Sequence, residues 1–307
     1  MANELIENPV MKVRAITPWF GGKRTLAPKI VELLGKHTQY FEPFCGSMAV
    51  LLAKEKSQKE TVNDLHGDLN NLARVIADPD QAPKLYLRLM ATPMAEELLE
   101  QAKYELAEMT AVPESGVTAA MLDRAYWYFI ASWMGRNGTA GTARVDYQIA
   151  VRWTKNGGSP TVRFQNAVDS LPAWHRRLLN VVILRRDAFK ILDRFEDVPQ
   201  TAIYCDPPYM IDTRSKGRTK NGGGGHYLHE FEHTSGLYDR DDHACMAEIL
   251  RGYRSARIVV SYYDSPKIRE LYEGWNFHCH KMNKQLHAQN GRGARKKEAP
   301  EVLICNF

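Results

Sequence analysis

Short apolar runs that end in polar residues alternate with segments of helical spacing in the early part of the chain. Apolar residues at helical spacing predict a helix over 26–34, and residues 40–47 are typical of a strand, a tight turn and a helix start. Ser47 is predicted to cap that second helix. Residues 61–64 predict another short strand that ends in an acid, and residues 1–16 are predicted to form a loose arm.

The pattern changes between residue 83 and about residue 178, where helical spacing dominates and one loop is rich in glycine and basic residues. We interpret this region as a helical insertion over 84–178. Residues 10–83 and 179–307 then form one discontinuous α/β domain. Strand-like runs after the insertion lie at 180–184, 202–206, 258–262, 275–281 and 301–307. The last of these runs predicts that the C-terminus is paired into the sheet.

Composition narrows the class of protein only moderately. A chain of 307 residues with 44% hydrophobic positions is expected to form about two structural units with a sizeable core. No apolar run approaches the roughly 20 residues of a membrane span, and residues 1–20 show no secretory pattern. The five cysteines are scattered without a CxxC pair, which argues against zinc ribbons and disulfides and predicts a cytoplasmic location. The net charge of +5 is compatible with nucleic acid as a partner.

The stretch Asp206-Pro207-Pro208-Tyr209 follows one of the predicted strands. Neither proline has an N–H for the ladder, so this tetrapeptide should project from the carboxyl edge of the sheet, where ligands bind. A carboxylate, a free carbonyl and a flat ring suit a planar base with an exocyclic amino group. Asp206 and the Pro207 carbonyl can accept its hydrogens, and Tyr209 can stack on it. A structural turn with a capping acid fits this stretch alone equally well.

Two more acids are predicted at the same edge. Asp64 lies 18 residues after Gly46, close to the spacing at which an acid holds ribose hydroxyls in nucleotide-binding folds. Gly46 is the only glycine in its turn, so a nucleoside without a diphosphate fits better than a dinucleotide. The alternative for Asp64 is a loop acid that caps a helix at 68–76. Asp187 ends the strand before the one that leads to Asp206.

Basic residues are concentrated in loops near these acids. The glycines beside Lys23 either open a helix or let the backbone approach an anion. The other cations can contact phosphates or base edges of a nucleic acid, the alternative being solvated loops. These candidate nucleic-acid residues are Arg136, Asn137, Arg144, Arg152, Lys155, Arg214, Lys216, Arg218, Lys220, Arg292 and Arg295. No metal is expected, because the histidines at 226–243 lack a second ligand group of suitable spacing.

Four stretches resemble, in order and spacing, the Dam-like (D12-class) DNA adenine-N6 methyltransferases, which use S-adenosylmethionine. They are Trp19-Phe-Gly-Gly-Lys23, residues 41–47, Asn63-Asp64 with Asp68-Leu-Asn70, and Asp206-Pro-Pro-Tyr209. Residues 259–261 are a weaker match to the strand that follows, and residues 301–306 resemble the last strand of the family. The resemblance covers both α/β segments. It implies a mixed, Rossmann-like methyltransferase sheet, an inserted helical target-recognition unit, and double-stranded DNA as the partner without metal or membrane.

The resemblance also implies a role for each matching residue. Trp19 and Lys23 would close over the methionine part of the cofactor, and Asp64 would hold its ribose. Asp206 and Tyr209 would act on an adenine rotated out of the duplex. The implied cofactor residues are Trp19, Lys23, Phe44, Gly46, Ser47, Asp64, Asp187 and Asp206, and the implied catalytic residues are Asp206, Pro207, Pro208 and Tyr209.

Three other functions remain open at the level of sequence. The same amino chemistry serves transfer to cytosine N4 or to RNA adenine. A binding module on a decayed methyltransferase scaffold is disfavoured, because Lys23, Asp64 and Asp206 are all intact. Methylation of a small molecule or a protein glutamine fits less well with two basic loops beside the site.

Overall fold

The protein was analysed as a computed structural model, which describes residues 9–109, 121–135, 148–151, 158–210, 229, 231, 241–283 and 298–307. Across these segments, no helix combines the length and the apolar character needed to cross a membrane.

A seven-stranded mixed sheet lies at the centre of the described residues, in the order β3-β2-β1-β4-β5-β7-β6. Strands β1 to β5 pair in parallel, whereas β7 runs antiparallel to both of its neighbours. The strands are β1 (Gln39–Glu42), β2 (Lys59–Asn63), β3 (Val182–Leu184), β4 (Thr201–Cys205), β5 (Arg257–Tyr263), β6 (Asn276–Asn283) and β7 (Glu298–Cys305). The predicted α/β sheet and the pairing of the C-terminus into it are confirmed.

Helices cover both faces of this sheet. Four of them have proline in their first turn, where its missing N–H costs nothing and its fixed φ suits a helix. The helices are α1 (Ala27–Leu34), α2 (Ala49–Ala53), α3 (Gly67–Ala77), α4 (Ala82–Met90), α5 (Glu96–Glu108), α6 (Leu122–Met134), α7 (Pro160–Leu178), α8 (Ala188–Leu192), α9 (Asp242–Gly252) and α10 (Pro266–Leu271).

The core consists of two clusters, one on each face of the sheet. Alternate residues of a strand enter different clusters: Tyr204 joins one and Cys205 the other. The first cluster also contains α1 to α7, so the helical region predicted over 84–178 shares a continuous core with α3. The second contains α9 and α10. Because both faces are covered, the central strands are buried along nearly their whole length.

The segment before α1 is packed against the helical region, so the prediction of a loose arm is wrong for its described part. Val13, Ala15 and Ile16 are buried. The Trp174 indole donates to the Val13 carbonyl at 2.7 Å, and the Trp133 indole donates to the Ile16 carbonyl at 3.2 Å. Buried indole N–H groups require acceptors, and this segment supplies them.

Helix α2 begins differently from the prediction. Its N-cap is Met48, which has a left-handed backbone with φ of 59° and provides no side-chain cap. Ser47 therefore does not cap the helix. Its carbonyl instead accepts the Ile16 N–H at 3.1 Å, which ties the N-terminal segment to the turn after β1.

Candidate active site

A cavity of about 530 Å³ opens at the carboxyl edge of the parallel strands. Asp64 follows β2, Asp187 follows β3 and Asp206 follows β4, and all three line this cavity. The carboxyl ends of parallel strands meet at one edge, which explains why acids far apart in sequence come together. Of the other predicted site residues, the cavity is lined by Trp19, Lys23, Phe44, Gly46, Ser47 and Pro208.

The turn after β1 is held directly by Asp64. One carboxylate oxygen accepts the Gly46 N–H and the other accepts the His66 N–H, both at 2.9 Å. Asp64 is not the helix cap of the alternative interpretation, because α3 is capped by His66, whose Nδ1 accepts the Leu69 N–H at 3.2 Å. Asp64 thus presents its carboxylate at the cavity in a fixed orientation.

Gly46 is required by its conformation and by its neighbour. Its φ of +44° lies in the left-handed region that side chains disfavour. A Cβ placed there would lie 2.8 Å from the Trp19 Nε1. The Trp19 ring in turn meets the His66 ring edge-on, with centroids 5.4 Å apart. On this side of the cavity, the Trp19 ring therefore packs directly against the backbone of Gly46 and against the His66 ring.

Asp187 also lines the cavity, beside a group of aromatic side chains. Its carboxylate accepts the Phe189 N–H at 2.9 Å, which caps α8. Phe189 and Phe44 both contact Phe231, with ring centroids 5.3 and 5.6 Å apart. These three aromatic side chains can pack against a flat ring of a ligand, and the Asp187 carboxylate can accept hydrogen bonds from the edge of that ring.

Asp206 is held by two donors and is 19% exposed. The Lys23 ammonium lies 2.8 Å from its Oδ2, and the Ser261 hydroxyl donates to its Oδ1 at 2.8 Å. Because Ser261 gives its hydrogen to Asp206, the Tyr204 hydroxyl at 3.0 Å must donate to Ser261. Burial raises the pKa of Asp206 above its usual value, and the adjacent Lys23 charge opposes that rise.

Tyr209 and Pro207 are buried next to the cavity rather than among its lining residues. The Tyr209 ring is 4% exposed and meets the Tyr263 ring edge-on at 4.6 Å. Its hydroxyl donates to the Glu301 carboxylate at 2.7 Å. The predicted stacking of Tyr209 on a base therefore requires its ring to move from this position, and it stays a prediction.

Two acids at this site were not singled out by the sequence analysis. Glu42 ends β1 and lines the cavity, and Glu301 lies on β7 and contacts both Tyr209 and Lys23. Burial, with the Asp206 charge nearby, raises the pKa of Glu42 to about 8 although the Tyr40 hydroxyl donates to it at 2.8 Å. The available signal was an acid within an otherwise apolar strand, which is costly to bury without a purpose.

The predicted nucleic-acid residues Arg136, Asn137, Arg144, Arg152, Lys155, Arg214, Lys216, Arg218, Lys220, Arg292 and Arg295 all lie outside the described residues. Within the described part, a second cavity of about 450 Å³ adjoins Asp187 and has Arg186, Lys190 and Arg194 around it. The same part of the chain contains no group of three or more histidine, cysteine or acidic side chains arranged to hold a metal.

Comparison with known proteins gives a match to one family over most of the chain. The model of the D12 class N6 adenine-specific DNA methyltransferases matches residues 19–287. The chain is 23% identical over 312 residues to the type II methyltransferase M1.LlaDCHI of Lactococcus lactis subsp. cremoris, covering 99% of each. It is 25% identical over 299 residues to the retron Ec67 DNA adenine methylase of Escherichia coli, covering 95% of this chain and 90% of that protein. A DNA adenine methylase of Vibrio cholerae is 22% identical over 306 residues, with 93% and 94% covered.

Proposed function

Because the chain belongs to the D12 class of N6 adenine-specific DNA methyltransferases, we propose that it transfers the methyl group of S-adenosylmethionine to N6 of a base rotated out of double-stranded DNA. The observation that carries this proposal is the meeting of Asp64, Asp187 and Asp206 around one cavity with Lys23 beside the last of them. The family match makes the chain a DNA adenine methyltransferase. We propose in addition that S-adenosylmethionine is the methyl donor, that the target base rotates out of the duplex, and that the residues below have the roles described. A cytoplasmic location fits an enzyme that acts on DNA.

The cavity residues fit S-adenosylmethionine, which supplies an activated methyl group when bound. Asp64 can accept ribose hydroxyls with the lone pairs that its two backbone N–H contacts leave free. The aromatic wall of Phe44, Phe189 and Phe231 suits an adenine ring, and Asp187 can accept from its amino group. Several carboxylates around one cavity also favour the positive sulfonium over a neutral nucleoside.

Asp206 suits the reacting amino group as an acceptor. Lys23 and Ser261 fix the orientation of its carboxylate, and each of its oxygens has a lone pair left for a hydrogen on N6. The Pro207 carbonyl can accept the second hydrogen, since the residue after it is a proline that ends the strand ladder. Holding both hydrogens out of the ring plane directs the nitrogen lone pair toward the methyl group, and this positioning accounts for much of the acceleration.

We further propose that residues 84–178 form the target-recognition unit and that residues 10–83 and 179–307 form the catalytic domain. Helix α6 of that unit is fixed to α3 by Arg124, whose guanidinium donates to both oxygens of Asp68 at 2.5 and 3.2 Å. This contact supports a rigid placement of the helical unit next to the cavity, because α3 follows the turn that contains Asp64 and His66.

The proposal is tested by replacing the central acid. Asp206→Ala should abolish methyl transfer to DNA while S-adenosylmethionine still binds, because Asp64 and the aromatic wall remain. Transfer of labelled methyl groups and a cofactor titration are the measurements, with Glu270→Ala on the exposed side of α10 as the matched control. Retained transfer by Asp206→Ala would rule out the assigned role. Digestion of the product to nucleosides separates N6-methyladenine from N4-methylcytosine.

A further inference from the structure

Glu301 contacts two residues of the proposed site through one carboxylate oxygen. The Tyr209 hydroxyl donates to its Oε1 at 2.7 Å, and the Lys23 ammonium lies 3.4 Å from the same oxygen. Lys23 simultaneously lies 2.8 Å from Asp206 and 5.0 Å from the centroid of the Tyr209 ring. The Lys23 ammonium is thus shared between the carboxylates of Asp206 and Glu301 and lies next to the Tyr209 ring.

The position of Glu301 makes it an expensive residue to bury. It is 7% exposed and lies in β7, with Tyr263 of β5 on one side and His280 of β6 on the other in the strand register. The next four residues of the strand are buried, and three of them are aliphatic. A carboxylate at such a place is tolerated only with charged and hydrogen-bonding partners, which here are Lys23 and Tyr209.

We propose that Glu301 is a positioning residue for methyl transfer, fixing the Tyr209 hydroxyl and drawing part of the Lys23 charge away from Asp206. This inference rests on the proposed roles of Asp206 and Tyr209. If Lys23 paired with Asp206 alone, it would hold that carboxylate more tightly and compete with the hydrogens of the amino group. Sharing Lys23 leaves Asp206 oriented but available.

The charge of Glu301 also gives the inference a measurable pH signature. A second carboxylate nearby disfavours the ionised form of Asp206, so removing it lowers the pKa of Asp206. A transfer step that needs ionised Asp206 then persists to lower pH. Among the described residues, the titratable groups that interact electrostatically with Asp206 are Lys23 before α1, Glu42 on β1, Tyr204 and Cys205 on β4, Tyr209 after it, Tyr262 on β5 and Glu301 on β7.

The experiment compares Glu301→Gln, Glu301→Asp and Tyr209→Phe with the double variant Glu301→Gln/Tyr209→Phe, using the full chain and duplex DNA. Glu301→Gln should lower kcat by about tenfold through misplaced groups, with a much smaller change in KM for S-adenosylmethionine. The acid limb of its pH–rate profile should move to lower pH. Glu301→Asp should restore part of kcat. The double variant should lose less than the product of the two single losses, because both act through one hydrogen bond.

Glu270→Gln on α10 is the matched control, since it makes the same chemical change at an exposed position. Thermal unfolding of every variant separates activity from folding. The inference is overturned if Glu301→Gln keeps wild-type kcat. It is equally overturned if activity falls only with the folded fraction and the acid limb does not move, because Glu301 is then structural. Asp206→Ala in the same assay isolates the proposed function: its retained activity defeats that proposal independently of any Glu301 result.

Discussion

Glu42 is a single buried carboxyl whose ionisation should be visible in the stability of the whole protein. Its side chain lies at the end of β1, and its pKa is raised from 4.5 to about 8 chiefly by burial. Because the folded state holds the proton more tightly than the unfolded state, this carboxyl stabilises the folded protein fully below pH 4.5. That stabilisation is lost progressively as the pH rises from 4.5 through 8. We therefore predict that the free energy of unfolding falls by up to about 4 kcal/mol from this group between pH 5 and pH 8.

Glu42→Gln removes this titration while keeping the size of the side chain. The variant should unfold at a higher temperature than the wild type at pH 8 and at a similar temperature at pH 5. Thermal unfolding over this pH range is the measurement, with the exposed Glu270→Gln as the control. Identical pH dependence of Glu42→Gln and the wild type would show that Glu42 is not the titrating group.

Adding a single carbon atom at Gly46 should affect both the stability of the protein and its binding of the cofactor. In Gly46→Ala the new Cβ would lie 2.8 Å from Trp19 Nε1, and the φ of +44° disfavours any side chain. We predict a loss of about 1–3 kcal/mol in stability, with weaker binding of S-adenosylmethionine because Trp19 lines the cavity that we propose binds this cofactor. Chemical denaturation and a cofactor titration measure both effects. Gly252→Ala is the control, since nothing lies within 4 Å of its added Cβ; equal behaviour of the two variants would contradict the prediction.

At the scale of elements, a buried ion cluster connects α7, the last helix before β3, to the sheet. Arg177 of α7 donates to both oxygens of Glu60 on β2 and to the Leu51 carbonyl of α2. Lys54 completes the cluster at 2.5 Å from Glu60, and all three charged side chains are almost fully buried. The cluster therefore fixes the helical region against the α/β part where the chain re-enters the sheet.

Breaking this cluster should be far more harmful than breaking an exposed pair. Arg177→Met leaves Glu60 buried with one cation fewer, and we predict a loss of about 3–5 kcal/mol. Lys12→Met removes the half-exposed pair between Lys12 and Asp169, and it should cost less than about 1 kcal/mol. Urea denaturation of both variants gives the comparison. Equal losses would mean that the cluster is not what connects the two regions.

The elements that sequence periodicity predicted well are those whose packing face is visible locally. The helix over 26–34 and the strands that lead to Asp64 and Asp206 have patterns set by burial on one or both sides. The prediction that Ser47 caps α2 was wrong because the helix begins after Met48, which has a left-handed backbone and is not one of the residue types that usually cap helices. The prediction of a loose arm over 1–16 was wrong for its described part because the partners of that segment, Trp133 and Trp174, are more than 100 residues away in sequence.

Some residues of the candidate site could likewise be predicted from local sequence, and others could not. Acids that follow parallel strands were predictable, because chain order and strand polarity place them at one edge. The role of Glu301 was not, since β7 enters the sheet between β5 and β6 by antiparallel pairing that no local pattern specifies. Its contact with Tyr209 spans 92 residues, and only the assembled sheet brings the two together.

At the scale of the whole molecule, the cavity depends on nearly the full length of the chain. Its lining residues extend from Trp19 in the first loop to Ile249 on α9, and Glu301 on β7 contacts the lining residue Lys23. Both core clusters contribute strands to that edge. Loss of either core should therefore remove cofactor binding together with folding, as expected for one cooperative unit.

Electrostatics over the whole surface should govern the binding of DNA, the substrate of this family. The chain has a net charge of +5, and the cavity beside Asp187 is surrounded by Arg186, Lys190 and Arg194. Within the described part of the chain, the side chains of these three residues form no ion pair or hydrogen bond, and Arg186 is bonded to Asn63 through its backbone only. The three cations are exposed and line the second cavity, which adjoins Asp187, so they present positive charge that a DNA backbone can contact.

Replacing these three residues by alanine should weaken binding of duplex DNA and reduce its dependence on salt. Each phosphate contact contributes about 0.9 to the slope of log affinity against log salt, so the slope should fall by up to about 3. Binding titrations at several salt concentrations measure this. The control replaces the exposed lysines Lys36, Lys59 and Lys84, which changes the net charge equally. If both triple variants lose the same affinity and slope, only net charge matters and this cavity does not contact DNA. A larger loss in the first variant places the DNA backbone against the sheet edge beside Asp187.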